Sequence, residues 1–215
     1  MQQQKFTADQ IWALAVVADR MNGGYLKEDE WLPNATPPCR GREANKLMVK
    51  RWLREGGVAL TDADIQEGQR VRNHFKGLLL KQMAGKINDF ERQALSIAQK
   101  DEFTGRDLLD FAIVSCLPAS ARRDQERKDL QREVVASTQL TGDKGDKIIS
   151  DITVISSRYS PMYGKFRINA RMGESFIDFW FTRELTKDAT VRIEGKIKAV
   201  RGDKTTQLNY VKIRG

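Results

Sequence analysis

The sequence predicts an α+β protein, an N-terminal all-helical domain followed by a small five-stranded antiparallel β-barrel. Three observations carry this expectation. In roughly the first 135 residues, apolar side chains recur at three- and four-residue spacing, the period of a helix. From Lys147 onward they alternate, and β-branched and aromatic residues dominate, as in half-buried strands. Between the two lies Thr141-Gly142-Asp143-Lys144-Gly145-Asp146, a polar, Gly-containing stretch with no apolar side chain. The expected organisation is a helical domain over 1–118, a charged linker helix over 119–140 and the barrel over 141–215.

Thr7-Ala8-Asp9-Gln10 has the form of a capping box, and Ile11, Leu14, Ala15 and Ala18 follow it at helical spacing. Asn22-Gly23-Gly24 ends that helix, because glycine adopts the left-handed conformation a helix C-terminus uses. A loop with Pro33, Pro37 and Pro38 leads to a second helix over Glu43–Glu55, stopped by Gly56-Gly57. Thr61-Asp62-Ala63-Asp64 opens a third, with a cap residue and acids at the positive end of the dipole; its apolar positions run on to Met83. Ile87–Gln99 and Arg106–Leu117 form two more, and Pro118 interrupts before the charged helix Ala119–Ser137. The five strands are expected near Lys147–Arg158, Gly164–Met172, Ser175–Thr182, Ala189–Arg201 and Thr205–Ile213, with a short turn or helical segment at Arg183–Asp188.

Composition narrows the function classes. The chain has 215 residues, 40% hydrophobic and 31% charged, with 37 Lys+Arg against 29 Asp+Glu for a net charge of +8. Of these, 15 Lys+Arg and 9 Asp+Glu lie in residues 141–215, so +6 of the charge belongs to the predicted barrel. A basic domain of this kind points to a polyanionic partner. The longest apolar stretch, Leu108–Leu117, is interrupted by Asp110 and is about half of a membrane span, so no membrane role is expected. Met1-Gln2-Gln3-Gln4-Lys5 has no signal-peptide core, and the two distant cysteines, Cys39 and Cys116, suit a reducing cytoplasm as free thiols.

The barrel strands can be sorted by face. Phe166, Ile168 and Ala170 of the second strand and Ile177, Phe179 and Phe181 of the third are expected inside. Lys165, Arg167 and Arg171 then lie outside beside Phe176 and Trp180. Cations interleaved with aromatics suit single-stranded nucleic acid, whose bases stack on π faces while Lys and Arg follow the phosphates. Tyr159 and Tyr163, flanking the first hairpin loop, add two further rings.

The residues Ser160-Pro161-Met162-Tyr163-Gly164-Lys165-Phe166, the strand Asp178-Phe179-Trp180-Phe181-Thr182, Val191–Ile197 and the last strand Thr206–Ile213 together resemble an oligonucleotide/oligosaccharide-binding (OB) fold. Modules of this layout occur in phage and bacterial replication and recombination proteins. The resemblance implies a ligand face on strands two and three and on the loops after strands one and four. It assigns a nucleic-acid role to Tyr159, Tyr163, Arg167, Arg171, Phe176 and Trp180, and on the strand four–five side to Lys198, Arg201 and Lys204. The bacterial-type single-strand binding proteins carry an acidic partner-recruiting tail, whereas this sequence closes on Lys212-Ile213-Arg214-Gly215, so a hub role is not expected.

No catalytic or metal-ligating residue and no cofactor is expected. His74 is the single histidine, a P-loop and a Lys-x-Asp-Gly nucleophile motif are both missing, and the acid pairs Asp62/Asp64 and Asp101/Glu102 fall at helix starts, where they act as caps. The expected role is non-enzymatic binding of single-stranded DNA or RNA in replication, recombination or repair. The alternative is a protein-interaction adaptor that docks a partner through the helical or the OB-like domain. A second nucleic-acid contact through Arg40, Arg42, Lys46, Lys50, Arg51 and Arg54 is a further possibility for the helical half.

Overall fold

Thr7 caps the first helix as the sequence predicts: its hydroxyl accepts from the Gln10 N–H, and the Gln10 side chain accepts from the Thr7 N–H. The computed structural model describes residues 5–32, 34, 39–105 and 107–214. Pro33, Pro37, Pro38 and Arg106, like the first four residues, lie outside this set. In chain order the elements of the first part are β1 (Lys5–Thr7), α1 (Ala8–Met21), β2 (Glu30–Trp31), β3 (Arg40–Arg42), α2 (Asn45–Glu55), α3 (Asp62–Lys76), α4 (Leu79–Met83), α5 (Asp89–Gln99), β4 (Glu102–Thr104) and α6 (Leu108–Val114). There follow α7 (Leu117–Ala136) and five strands: β5 (Lys147–Ser160), β6 (Lys165–Met172), β7 (Ser175–Phe181), β8 (Thr190–Val200) and β9 (Thr206–Arg214). One compact unit ends at Gln125 and a second begins at Glu126.

In the first unit α1 is the central element, with Ile11, Trp12, Ala13, Ala15 and Ala18 fully buried. Its small residues allow close packing. A Cβ on Gly68 of α3 would lie 2.8 Å from the Ala13 backbone nitrogen, so this glycine sets the distance between the two helices. Val71, Phe75, Ala94, Ile97, Phe103, Phe111 and Leu117 close the core around α1. The third helix is shorter than its apolar pattern suggests: the chain turns at Gly77 and resumes as α4. Pro118 sits in the first turn of α7 rather than ahead of it, where a missing N–H costs nothing. Besides the helices there are two short ladders, β1–β4 and β2–β3, which the helical pattern did not reveal.

The second unit is a closed barrel of strand order β5-β6-β7-β9-β8. The sequence ranges for its strands fall within two residues of the observed ends. The expectation of a fully antiparallel barrel is corrected: β7 and β9 run parallel, through Ile177–Thr206 and Asp178–Gln207. The reason is parity. Strand direction can alternate all the way round a closed ring only if the number of strands is even, so five strands require a parallel pair. The side chains assigned to the interior are there: Ile168, Ala170, Ile177 and Phe179 are buried, with Phe166 and Phe181 packed at the margin. This closed five-strand architecture is compatible with an OB-like fold.

Candidate nucleic-acid interface

Of the barrel's three β-bulges, one lies in the β5–β6 ladder between Val154 and Ser156 and two lie between β8 and β9. Between Ile197–Leu208 and Ala199–Gln207 the β8–β9 register gains one residue on β8, at Lys198. Between Glu194–Lys212 and Lys196–Asn209 it gains one on β9, at Tyr210 and Val211. A bulge bends its strand and re-aims a side chain. Tyr210 takes the left-handed conformation, φ 52°, and is 79% exposed. Gly195 stands opposite, where a Cβ would come 3.1 Å from Val211 Cγ2, so the glycine makes room for Val211 to turn inward.

Past Asp178–Gln207, β7 and β9 have no further paired positions, and a cavity of about 400 Å³ is lined by residues of both. Trp180 lines it from β7, Lys165 from β6, Lys198 from β8, and Gln207, Asn209 and Tyr210 from β9. Tyr163, in the turn between β5 and β6, packs on Trp180 with ring centroids 4.7 Å apart and planes tilted by 49°. The side-chain oxygen of Asn209 is buried and without a hydrogen-bond partner. Rings, ammonium groups and side-chain amides therefore converge on one groove. Such a groove can stack a planar ligand and place cations on an attached anion.

Beside this groove lies an arginine pair. Arg167, which is opposite Trp180 in the β6–β7 register, and Arg201 just past β8 both donate to Asp178 Oδ2 at 3.2 Å. Asp178 is fully buried while both guanidinium groups remain part-exposed, and Asp178 Oδ1 has no partner. The carboxylate holds two cations side by side at the surface. The adjoining turn is fixed by its backbone: Arg201 N–H donates to Thr205 O at 2.9 Å and Lys204 N–H to Arg201 O at 3.0 Å. Asp203 accepts from the Thr205 N–H, and that bond holds its carboxyl below the usual range. Lys204, at φ 69°, projects from this turn into solvent.

Of the residues the sequence assigned to the ligand, Tyr163, Lys165, Trp180 and Lys198 come together at the groove, with Arg167, Arg201 and Lys204 on the neighbouring strand ends. Tyr159 is exposed but packs against Phe166, 5.2 Å between centroids. Arg171 is engaged by Glu133. Phe176 is a correction: it stays outside the barrel core, on the outer side of β7, but is only 3% exposed and so is not open to a ligand. The chain after α7 covers it, since Thr138 N–H donates to Glu174 O at 2.9 Å and Thr138 bridges to Ser175, bringing Ser137 alongside. Strict alternation missed Gln207, Asn209, Tyr210 and the role of Asp178. A signal was present: Leu208 and Val211 are both apolar but three residues apart, a spacing that only a bulge can bring to one face.

The other candidates resolve individually. His74 is half-buried, edge-on to Phe75 and 3.4 Å from Asp124. Asp62 and Asp64 lie in the first turn of α3, where Asp64 completes a capping box with Thr61. Asp101 pairs with Arg72, which holds its carboxyl below the usual range, and Glu102 with Lys5. Burial pushes the Cys116 thiol up, away from reactivity. In the basic stripe, Arg40 pairs with Asp29 and Glu43, Arg42 with Glu30 and Arg51 with Glu43. Among the described residues, no three His, Cys, Asp or Glu side chains are placed to hold a metal ion, and no helix is long and apolar enough to cross a membrane. No protein-family model matches the chain, and comparison with curated proteins and with solved structures gives no significant match.

Proposed function

We propose that the C-terminal barrel binds single-stranded nucleic acid, DNA in the first place, as a non-enzymatic component of replication, recombination or repair. The observation that carries this reading is the groove itself: Trp180, packed by Tyr163 and sharing the groove with Tyr210, sits among Lys165, Lys198 and the Arg167–Arg201 pair. Stacking needs unpaired bases, so aromatic rings lining a groove favour a single strand over a duplex. The concentration of positive charge in the last third of the chain supports the same partner. A phage-type protein working in the host cytoplasm is the setting that the OB-like layout suggests.

The test is an anisotropy titration of labelled oligonucleotides with the full chain at two salt concentrations. Micromolar or tighter binding that weakens as salt rises is the expected result, because phosphate contacts release counterions. Absence of binding at low salt overturns the reading. A second reading, docking of a protein partner, is favoured by the exposed apolar side chains Leu80 and Met83 on α4. A stoichiometric protein recovered after nuclease treatment, with no oligonucleotide bound by the pure chain, selects it.

A further inference from the structure

The second half of α7 belongs to the same compact unit as the barrel. Glu126 and Glu133 are seven residues apart, two helical turns, and so project from one side of the helix. Each takes an arginine of the barrel: Arg158 Nη2 donates to Glu126 at 2.8 Å and Arg171 Nη2 to Glu133 at 2.5 Å. Both pairs are exposed, at 53% and 51% for Arg158 and Glu126 and at 52% and 36% for Arg171 and Glu133. A partly open cavity of about 600 Å³ lies between this stretch of helix and the outer side of β5, with Arg171 of β6 and Lys187 and Asp188 also on its wall. Ion pairs rather than close apolar packing therefore tie this stretch to the strands. Its apolar side chains are few: Leu130 and Val134 are half-buried, and Val135 is 73% exposed.

Carboxylates paired with arginines on a basic surface offer those arginines the same kind of anionic oxygens that phosphates do. Arginine forks suit both groups, and an exposed pair is weak enough to exchange partners. We propose that Glu126 and Glu133 are internal competitors of the nucleic-acid strand. In the free protein they hold Arg158 and Arg171, and the phosphodiester backbone takes these arginines by displacing the 126–136 segment. This extends the backbone track from the Trp180 groove to Arg158, and it gives Arg171 a role only in the bound state. The inference rests on the single-strand reading above.

The test uses the full chain, the double variant Glu126→Gln/Glu133→Gln and a control variant, Glu184→Gln, which removes one charge from an exposed loop position of the barrel. The probe is a labelled oligothymidylate, with amide hydrogen exchange of residues 126–136 followed in parallel. The expected result is affinity about three- to tenfold higher in the double variant but not in the control, the range set by releasing two exposed ion pairs. Saturating oligonucleotide should also speed exchange in 126–136 of the unmodified protein. Equal affinities for the unmodified chain and the double variant, an equal gain in the control, or exchange that slows on binding would each overturn the inference and leave the proposed function standing. Failure of all three proteins to bind would overturn both.

Discussion

Asp178 shows how a single buried carboxylate can organise a cationic surface. It lies on the outward side of β7, yet Arg167 and Arg201 close over it. Its burial is tolerable because two charge-assisted hydrogen bonds reach one oxygen, while the other oxygen goes unpaired. Replacing it by Asn removes the charge that holds the two guanidinium groups together. The arginines keep much of their water, so the expected loss of barrel stability is about 1–3 kcal/mol, read from the urea midpoint. Asp64 makes a parallel case in the helical unit. The Arg20 guanidinium, ahead of the Thr61 contacts, holds its carboxyl below the usual range. A depressed carboxyl contributes stability that is complete above the unfolded value, about 3.9, and is lost as pH falls through the lower folded value. The stability advantage of the unmodified protein over Asp64→Asn should therefore be constant near neutrality and shrink below about pH 4, as urea titrations at a series of pH values will show.

Among the elements, the strands were legible because apolar and polar side chains alternate along much of their length, as Phe166, Ile168 and Ala170 do against Lys165, Arg167 and Arg171. Alternation says nothing of what covers the outer face. Phe176 is on the outer face as alternation puts it, but residues nearly forty positions earlier, around Ser137 and Thr138, lie against that part of β7. The bulges at Lys198 and Tyr210 were legible only as a break in the period, and they put Tyr210 at the site. In the helical unit the caps at Thr7 and Thr61 were readable from local sequence, whereas the close approach of α1 and α3 at Gly68 was not. Gly68→Ala drives a methyl group into backbone atoms of Trp12 and Ala13, which neither helix can move aside locally. Overpacking of this kind should cost about 1–3 kcal/mol and lower the thermal midpoint of the helical unit, measured by circular dichroism.

At the scale of the whole molecule, the charge asymmetry seen in the sequence coincides with a closed barrel, and the odd number of strands dictates its one parallel junction, β7–β9. That junction pairs at only two positions, and the groove opens where pairing stops. The start of the compact unit at Glu126 also has a consequence for fragments. A fragment beginning at Thr141 loses the segment that covers Phe176, whereas one beginning at Glu126 keeps it. The longer fragment should melt at the higher temperature in calorimetry, and equal midpoints would show that the helix end adds nothing to the barrel.

On the proposed function, bases stack at Trp180. Comparing oligonucleotide affinity of the unmodified protein with that of Trp180→Ala, in one buffer and with folding checked by circular dichroism, tests it most directly. The expected loss is about 5- to 150-fold, the equivalent of removing one stacking platform worth about 1–3 kcal/mol. Unchanged affinity in a folded Trp180→Ala protein would contradict it.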